Sequence, residues 1–245
     1  MFNDTHIHAV TARRYPLRHP DNNNLHLHYD DTFEGLPLMI DKGPFIRECL
    51  SDLKHTIELA LAEYPRVLAF RVDLRLPQGI DLPDYAYTNQ VISRFFESLS
   101  RKIRYHQKRV AERGYARGCK VRYVWSRETP QGGMPHYHLL ILLNRDAYYT
   151  IGRFCSERVN MISRMEESWA GALGLSVGQV SGLVNIPDNE TYRVDRNPRE
   201  RKVAGSAREV LVDELPALFY RASYLCKVAT KSYGNRQRGF DTSRG

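Results

Sequence analysis

Cysteine is scarce in this sequence, and the spacing of the few cysteines argues against two common frameworks. The 245 residues contain Cys49, Cys119, Cys155 and Cys226, which lie far apart and form no CxxC pair. A disulfide-stapled fold or a zinc knuckle needs a closely spaced, cysteine-rich set. We therefore expect free thiols in a reducing compartment.

Long apolar stretches are also missing. No run approaches the roughly 20 residues that a helix needs to span a bilayer. The chain begins Met-Phe-Asn-Asp-Thr-His, without the basic and then apolar segments of a secretory leader. With 42% hydrophobic and 26% charged residues, the composition is that of a soluble globular protein. We expect no membrane contact and a cytoplasmic location.

Positive charge is abundant but unevenly distributed. The formal net charge is +8, yet residues 1–90 carry nine basic and thirteen acidic residues. Residues 91–120 carry nine basic and two acidic residues, and residues 193–245 carry twelve and six. Such clustering is typical of proteins that bind nucleic acid, although a solvated face without a partner has the same composition.

Several segments show helical or strand periodicity. Residues 43–63 repeat apolar side chains three and four apart and are followed by Tyr64-Pro65, which predicts a helix. Residues 66–77 alternate apolar and charged side chains, which predicts a strand with one charged face. The remaining predictions are a basic-faced helix at 88–114, one interrupted helix or a helix pair at 147–173, a basic loop at 196–208, a helix at 212–231 and a frayed end at 232–245.

The most informative stretch is residues 135–143, in which His136-Tyr137-His138 is followed by five aliphatic residues. Its length and its lack of a helical period predict a buried strand. Side chains alternate along a strand, so His136 and His138 share a face. Neutral imidazole nitrogens are good ligands for divalent metals. The other His-x-His triplets, at residues 6–8 and 26–28, open no such run and are not interpreted as ligands.

A carboxylate is predicted to join the two histidines. Residues 121–128 form a second predicted strand, and residues 129–135 are rich in turn formers. A hairpin centred on position 132 pairs Glu128 with His136 and Ser126 with His138, so the three ligand side chains share one face. The alternative is a pair of ordinary core histidines beside a glutamate at the end of a hairpin.

The predicted helix at 212–231 adds a second set of chemically useful residues. Tyr220, Tyr224 and Lys227 are spaced four and three apart and would share a helix face. Cleaving a phosphodiester by transesterification needs a metal, an in-line nucleophile and cations that hold the backbone. Tyrosine can be that nucleophile, and two tyrosines one turn apart could act in alternation. Tyrosines at this spacing also occur as packed stripes.

Taken together, these motifs resemble those of a known superfamily. His136-Tyr137-His138 resembles the metal motif of the HUH endonucleases, and Tyr220-x-x-x-Tyr224-x-x-Lys227 resembles the tyrosine motif of two-tyrosine rolling-circle replication initiators. The chain over 66–235 is similar to the inovirus-type replication proteins of prophages. The hydroxyl-rich first motif of that family is not reproduced near residues 67–74, and residues 1–60 match no family motif.

The resemblance implies an α+β fold, with a central antiparallel sheet flanked by helices. It implies that His136, His138 and Glu128 bind Mg²⁺ or Mn²⁺. Tyr224 would attack single-stranded DNA or an origin hairpin, leaving a 5′-phosphotyrosine and a free 3′-hydroxyl that primes rolling-circle replication. Lys227 would stabilise the phosphate or the metal, and Tyr220 would be a second nucleophile. No helicase-type phosphate-binding loop is present, so a host helicase would unwind the duplex.

The implied domain division is an N-terminal extension with one helix at 1–64, followed by an HUH endonuclease domain with a basic C-terminal tail at 65–245. Three other functions remain open. A relaxase or transposase could use the same core, and a DNA-binding regulator could keep the fold without catalysis. A structural zinc protein is the third, although the cysteine content argues against it.

Overall fold

A computed structural model describes residues 15–115, 117–130, 133–188, 191–202, 209–229 and 237–244. The α-helices are α1 (Arg47–Glu63), α2 (Gln90–Ala111), α3 (Met161–Leu173) and α4 (Leu215–Ala222). The strands are β1 (Arg18–His19), β2 (Asn22–His28), β3 (Thr32–Phe33), β4 (Leu36–Pro37), β5 (Phe45–Ile46), β6 (Arg66–Arg75), β7 (Arg122–Glu128), β8 (His136–Asn144), β9 (Val184–Asn185), β10 (Thr191–Asp195), β11 (Glu200–Lys202), β12 (Glu209–Leu211) and β13 (Phe240–Thr242).

The largest sheet is antiparallel and has β8 at its centre. The strand order is β10-β6-β8-β7-β13, and the short β9 also pairs with β6. The five consecutive aliphatic residues of β8 are all buried because helices cover both faces of the sheet. The prediction of an α+β fold built on a central antiparallel sheet is confirmed.

Two apolar clusters sandwich the sheet. On one face, Phe70, Val72 and Leu74 of β6 pack in a cluster with α2 and α3. On the other face, Val67 and Ala69 of β6 pack in a cluster with α1 and α4. This division follows from the alternation of side chains along a strand.

The sheet face covered by α1 and α4 is apolar at one end of the strands and polar at the other. On β6, Ala69 is followed on the same face by Arg71 and Asp73, and on β8, Leu140 is preceded by His138 and His136. On β7, Val124 is likewise followed by Ser126 and Glu128, the last in register with His136. On this face, the side chains of three adjacent strands therefore change from apolar to polar at matching register positions. The polar end of the face holds the candidate site.

Two of the predicted helices are shorter than expected. In the segment 147–173, only α3 is helical, because Asn160 forms a capping box with Ser163 and fixes the start of the helix at Met161. Upstream of this cap, Gly152 turns the chain with a φ of 92°. In the segment 212–231, α4 ends at Ala222 and a 3₁₀ turn continues to Cys226. No helix among the described residues is long and apolar enough to cross a membrane.

Helix α1 and strand β13 are both integrated into the folded structure. Helix α1 lies N-terminal to the predicted boundary at residue 64, and it packs in the same apolar cluster as β6. The segment 232–245 was expected to be frayed, but β13 within it pairs with β7. The segment 196–208 was expected to be a loop, but Glu200–Lys202 within it form β11, which pairs with β12. Of these segments, residues 1–14, 203–208, 230–236 and 245 lie outside the described part of the chain, as do residues 116, 131–132 and 189–190.

The buried centre of β8 gives a direct test of this packing. Leu140→Ala should lower the free energy of unfolding by about 2–5 kcal/mol, because it removes buried methyl groups and leaves a cavity. The measurement is chemical denaturation followed by circular dichroism. Leu17→Ala is the matched control, because Leu17 is 77% exposed and its truncation should change stability by less than about 0.5 kcal/mol. Similar losses in both variants would contradict this packing.

Candidate metal and tyrosine site

The hairpin of β7 and β8 assembles the three predicted ligands. Glu128 is directly opposite His136 and Ser126 is opposite His138, as the sequence predicted. One ligand atom from each of Glu128, His136 and His138 lies within 4.8 Å of the other two. The Oε2 atom of Glu128 is 3.5 Å from Nε2 of His136 and 3.4 Å from Nε2 of His138. These residues could hold a metal ion.

The two oxygens of the buried Glu128 carboxylate have different partners. Oε2 faces the histidines, whereas Oε1 accepts a hydrogen bond from Nζ of Lys227 at 2.8 Å. Burial raises the pKa of this carboxyl, but hydrogen bonds from His136, His138 and Lys227 outweigh burial and hold the pKa well below its usual range. Glu128 is therefore an anion, as a metal ligand must be.

Asp73 orients His138 from the neighbouring strand. The Oδ1 atom of Asp73 is 2.6 Å from Nδ1 of His138, its register partner on β8. Burial lowers the pKa of His138, but hydrogen bonds with Asp73 and Glu128 outweigh it, so the net shift is upward. Burial likewise raises the pKa of Asp73, and the hydrogen bond with His138 reverses that effect. Asp73 and His138 therefore form a partly buried hydrogen bond in which each residue stabilises the charged form of the other.

This arrangement fits a divalent metal. With Nδ1 of His138 engaged by Asp73, Nε2 is buried and directed toward Oε2 of Glu128, 3.4 Å away, and both atoms belong to the ligand cluster. A carboxylate that binds the far nitrogen of a metal-ligating histidine fixes the ring orientation and raises the basicity of the ligand. Two imidazoles and one carboxylate also leave coordination positions open for a substrate.

Tyr224 packs directly against the metal-ligand cluster. Its ring centroid is 5.2 Å from that of His138, with the rings nearly perpendicular. Nζ of Lys227 lies 3.7 Å from the Tyr224 ring centroid, and the guanidinium carbon of Arg71 lies 5.1 Å from it. Lys227 therefore contacts both the carboxylate ligand and the tyrosine.

Tyr220 is not brought into this cluster. Its side chain is 38% exposed, and no described contact joins it to Glu128, His136 or His138. The 3₁₀ turn after Ala222 explains the difference, because each 3₁₀ residue advances by about 120° and each α-helical residue by about 100°. The prediction of one continuous helix over 212–231 is therefore wrong, and of the three side chains only those of Tyr224 and Lys227 have described contacts with the cluster.

Two residues of the site, Arg71 and Asp73, were not among the predicted site residues. Both lie on the charged face of β6 that the alternation in residues 66–77 predicts. Arg71 is 5% exposed, and its guanidinium nitrogen is 3.3 Å from Oδ1 of Asp73. The available signal was an arginine and an aspartate two residues apart among the apolar residues of a predicted strand, since charges in such a setting are kept only when they are paired.

The role of Asp73 can be tested through metal affinity alone. Asp73→Asn should weaken Mn²⁺ binding by about 10–100-fold, because loss of the carboxylate reduces the basicity of His138 and loosens its orientation. Isothermal titration calorimetry would measure the affinity. Asp30→Asn is the control, because Asp30 is exposed and should bind Mn²⁺ as the wild type does. Equal affinity in wild type and Asp73→Asn would show that Asp73 does not support the ligand.

Comparisons with known proteins place the chain in a family. Residues 28–243 match the family described as the YagK/YfjJ C-terminal domain. The chain is 32% identical over 208 residues to the uncharacterized protein YagK of Escherichia coli (strain K12), covering 82% of this chain and 95% of YagK. It is 30% identical over 202 residues to the uncharacterized protein YfjJ of the same strain, covering 79% and 92%. No solved structure matches. The chain therefore belongs to the YagK/YfjJ C-terminal domain family.

Proposed function

We propose that this protein is a metal-dependent endonuclease that nicks and rejoins single-stranded DNA through a covalent tyrosine intermediate. The observation that carries the proposal is the contact between Tyr224 and the Glu128–His136–His138 cluster, with Lys227 touching both. The resemblance of the histidine and tyrosine motifs to those of HUH replication initiators supports the same function. In this proposal, the reaction initiates rolling-circle replication of a phage or a related mobile element.

The proposed step exchanges one phosphate ester for another. The phenolic oxygen of Tyr224 forms a bond to phosphorus, and the bond from phosphorus to the 3′-oxygen of the DNA breaks. The phenol gives up its proton, and the departing 3′-oxygen takes up a proton to become a hydroxyl. Because an ester bond is conserved, attack by a 3′-hydroxyl on the phosphotyrosine rejoins the strand without an external energy source.

Each residue of the site has a role in this step. Glu128, His136 and His138 would hold Mg²⁺ or Mn²⁺, which polarises the non-bridging oxygens of a phosphate when bound. Asp73 keeps the Nε2 lone pair of His138 directed at the ligand position. Two cations, Arg71 and Lys227, flank the Tyr224 ring and would offset the negative charge of the phosphoryl group as it approaches.

The geometry favours Tyr224 over Tyr220 as the first nucleophile. Tyr224 is half-buried against His138, whereas Tyr220 lies outside the cluster on the exposed side of α4. A nucleophile must be held near the attacked atom, and a displacement of even 1 Å can slow a reaction about 100-fold. A second cleavage by Tyr220 would require the DNA or the end of α4 to move.

A covalent-adduct gel tests the assignment of the nucleophile. Wild-type protein incubated with Mn²⁺ and pooled single-stranded DNA from its own replicon should give a DNA-linked band that survives denaturation. Tyr224→Phe should lose the band because it lacks the attacking oxygen. Tyr220→Phe, the same substitution one turn earlier, should keep it.

The other outcomes of this gel are equally informative. A band that persists in Tyr224→Phe but disappears in Tyr220→Phe would reverse the assignment. A wild-type protein that binds DNA on a filter but forms no adduct would be a DNA-binding regulator, and the proposed function would fail. Oligonucleotides that carry replication-origin, transfer-origin or transposon-end hairpins would then separate an initiator from a relaxase or transposase.

The metal ligands can be tested independently of the tyrosine. His136→Ala and His138→Ala should each reduce Mn²⁺-dependent cleavage to the level seen with chelator, because the ligand set is incomplete. Circular dichroism would check that the fold is retained. His55→Ala is a suitable control, since His55 lies on α1 away from the ligand cluster. Full cleavage by both ligand variants would show that these histidines do not hold the catalytic metal.

A further inference from the structure

The outer surface of α2 carries a row of basic side chains that the proposed chemistry does not use. Its apolar side, which includes Phe95, Leu99 and Ile103, is buried against the sheet and α3. The opposite side exposes Arg101, Arg104 and Lys108. These three residues lie within about 60° of one another around the helix and span about 10 Å along its axis. We call these three residues the α2 basic row.

The α2 basic row forms no ion pair with the described residues, and the nearest carboxylates on its stripe, Glu97 and Glu112, lie one turn before and one turn after it. Lys102, on the flank of the helix, forms an ion pair with Glu167 of α3 at 2.6 Å. Within the described part of the chain, no ion pair or side-chain hydrogen bond engages any residue of the row. Tyr105 lies beside the row and is 64% exposed. Unpaired cations next to an exposed aromatic ring are suited to a polyanion that also carries flat bases.

The α2 basic row lies on the far side of the sheet from the tyrosine site. Helix α2 covers the face formed by Phe70 and Val72, whereas Arg71 and Asp73 point to the opposite face and meet His138. The sheet and the diameter of α2, about 10–12 Å, therefore separate the row from Tyr224. Nucleotides held at Tyr224 cannot reach the row without passing around the protein.

From this placement we propose that the α2 basic row binds the phosphate backbone of DNA outside the segment that is cleaved. The inference rests on the proposed function only in taking DNA as the ligand. A duplex carries one phosphate charge about every 1.7 Å along its axis, so a straight row of cations faces several phosphates at once. A membrane is a poor fit, because a helix that lies on a bilayer inserts its apolar side, and that side of α2 is in the core.

The test compares two variants with the same change in net charge. One variant replaces the row by Arg101→Gln, Arg104→Gln and Lys108→Gln. The control replaces Arg18, Lys42 and Lys54 with glutamine, which removes three positive charges from the N-terminal part of the chain. Fluorescence anisotropy would give affinities for a 20-base-pair duplex and a 20-nucleotide single strand, each between about 50 and 200 mM salt, where binding to phosphates dominates the change.

The row variant should bind one of the two probes at least about tenfold more weakly, and its dependence of log affinity on log salt should become shallower. Every phosphate that the variant no longer neutralises should reduce that slope by about 0.9 on the duplex or about 0.7 on the single strand. The probe that responds identifies the form of DNA that α2 binds. Equal effects in the row variant and the control would show a response to net charge alone and would overturn the proposal, as would no effect in either.

Adduct formation at saturating single-stranded DNA separates this inference from the proposed function. If the row binds flanking DNA, the row variant should form the Tyr224 adduct at the wild-type yield once the substrate is saturating. Weaker binding by the row variant, in a protein that never forms an adduct, would support the α2 site and contradict the nuclease. An adduct in the wild type, together with unchanged DNA affinity in the row variant, would support the nuclease and contradict the α2 site.

Discussion

The register of β8 between its two neighbours is the constraint on which the rest of the site depends. Asp73, His138 and Ser126 lie side by side across three strands, and Glu128 lies opposite His136. Because side chains alternate along a strand, a slip of one residue would turn both histidines toward α2 and bury leucines where the charges now lie. The hydrophobic pattern of β8 and the position of the metal ligands are therefore specified together.

The site places charged groups in a protein interior and satisfies them with one another. Isolated charges at such burial are costly, and pairing with hydrogen bonds offsets the cost. Here the two carboxylates are divided among four partners: Glu128 with His136, His138 and Lys227, and Asp73 with His138 and Arg71. Removing any one partner would leave another charge unmatched, so the cluster is held as a unit and its geometry is set before a substrate arrives.

Much of this site could be predicted from sequence, and the parts that could not share a physical reason. The Glu128–His136 pairing followed from a local turn, because a short hairpin fixes its own register. Asp73 and His138 are 65 residues apart, and nothing local sets the register between their strands. The helix prediction over 212–231 extended too far because a helical period assumes one uniform helix, whereas α4 gives way to a 3₁₀ turn after Ala222. The N-cap at Asn160 likewise starts α3 at Met161, whereas apolar periodicity alone had extended the predicted helical segment back to residue 147.

The position of β13 has a consequence for the order in which the protein can form during synthesis. The strand that carries Glu128 is paired on one side by β8 and on the other by β13, which follows it by more than 100 residues in the sequence. Lys227, the cation that neutralises Glu128, is also made late. A nascent chain that ends before these segments would lack the Lys227 counterion of the buried Glu128 carboxylate. It would also leave one edge of β7 without a hydrogen-bonded neighbour. Completion of the site must therefore wait until Lys227 and β13, about 100 residues after Glu128, have left the ribosome.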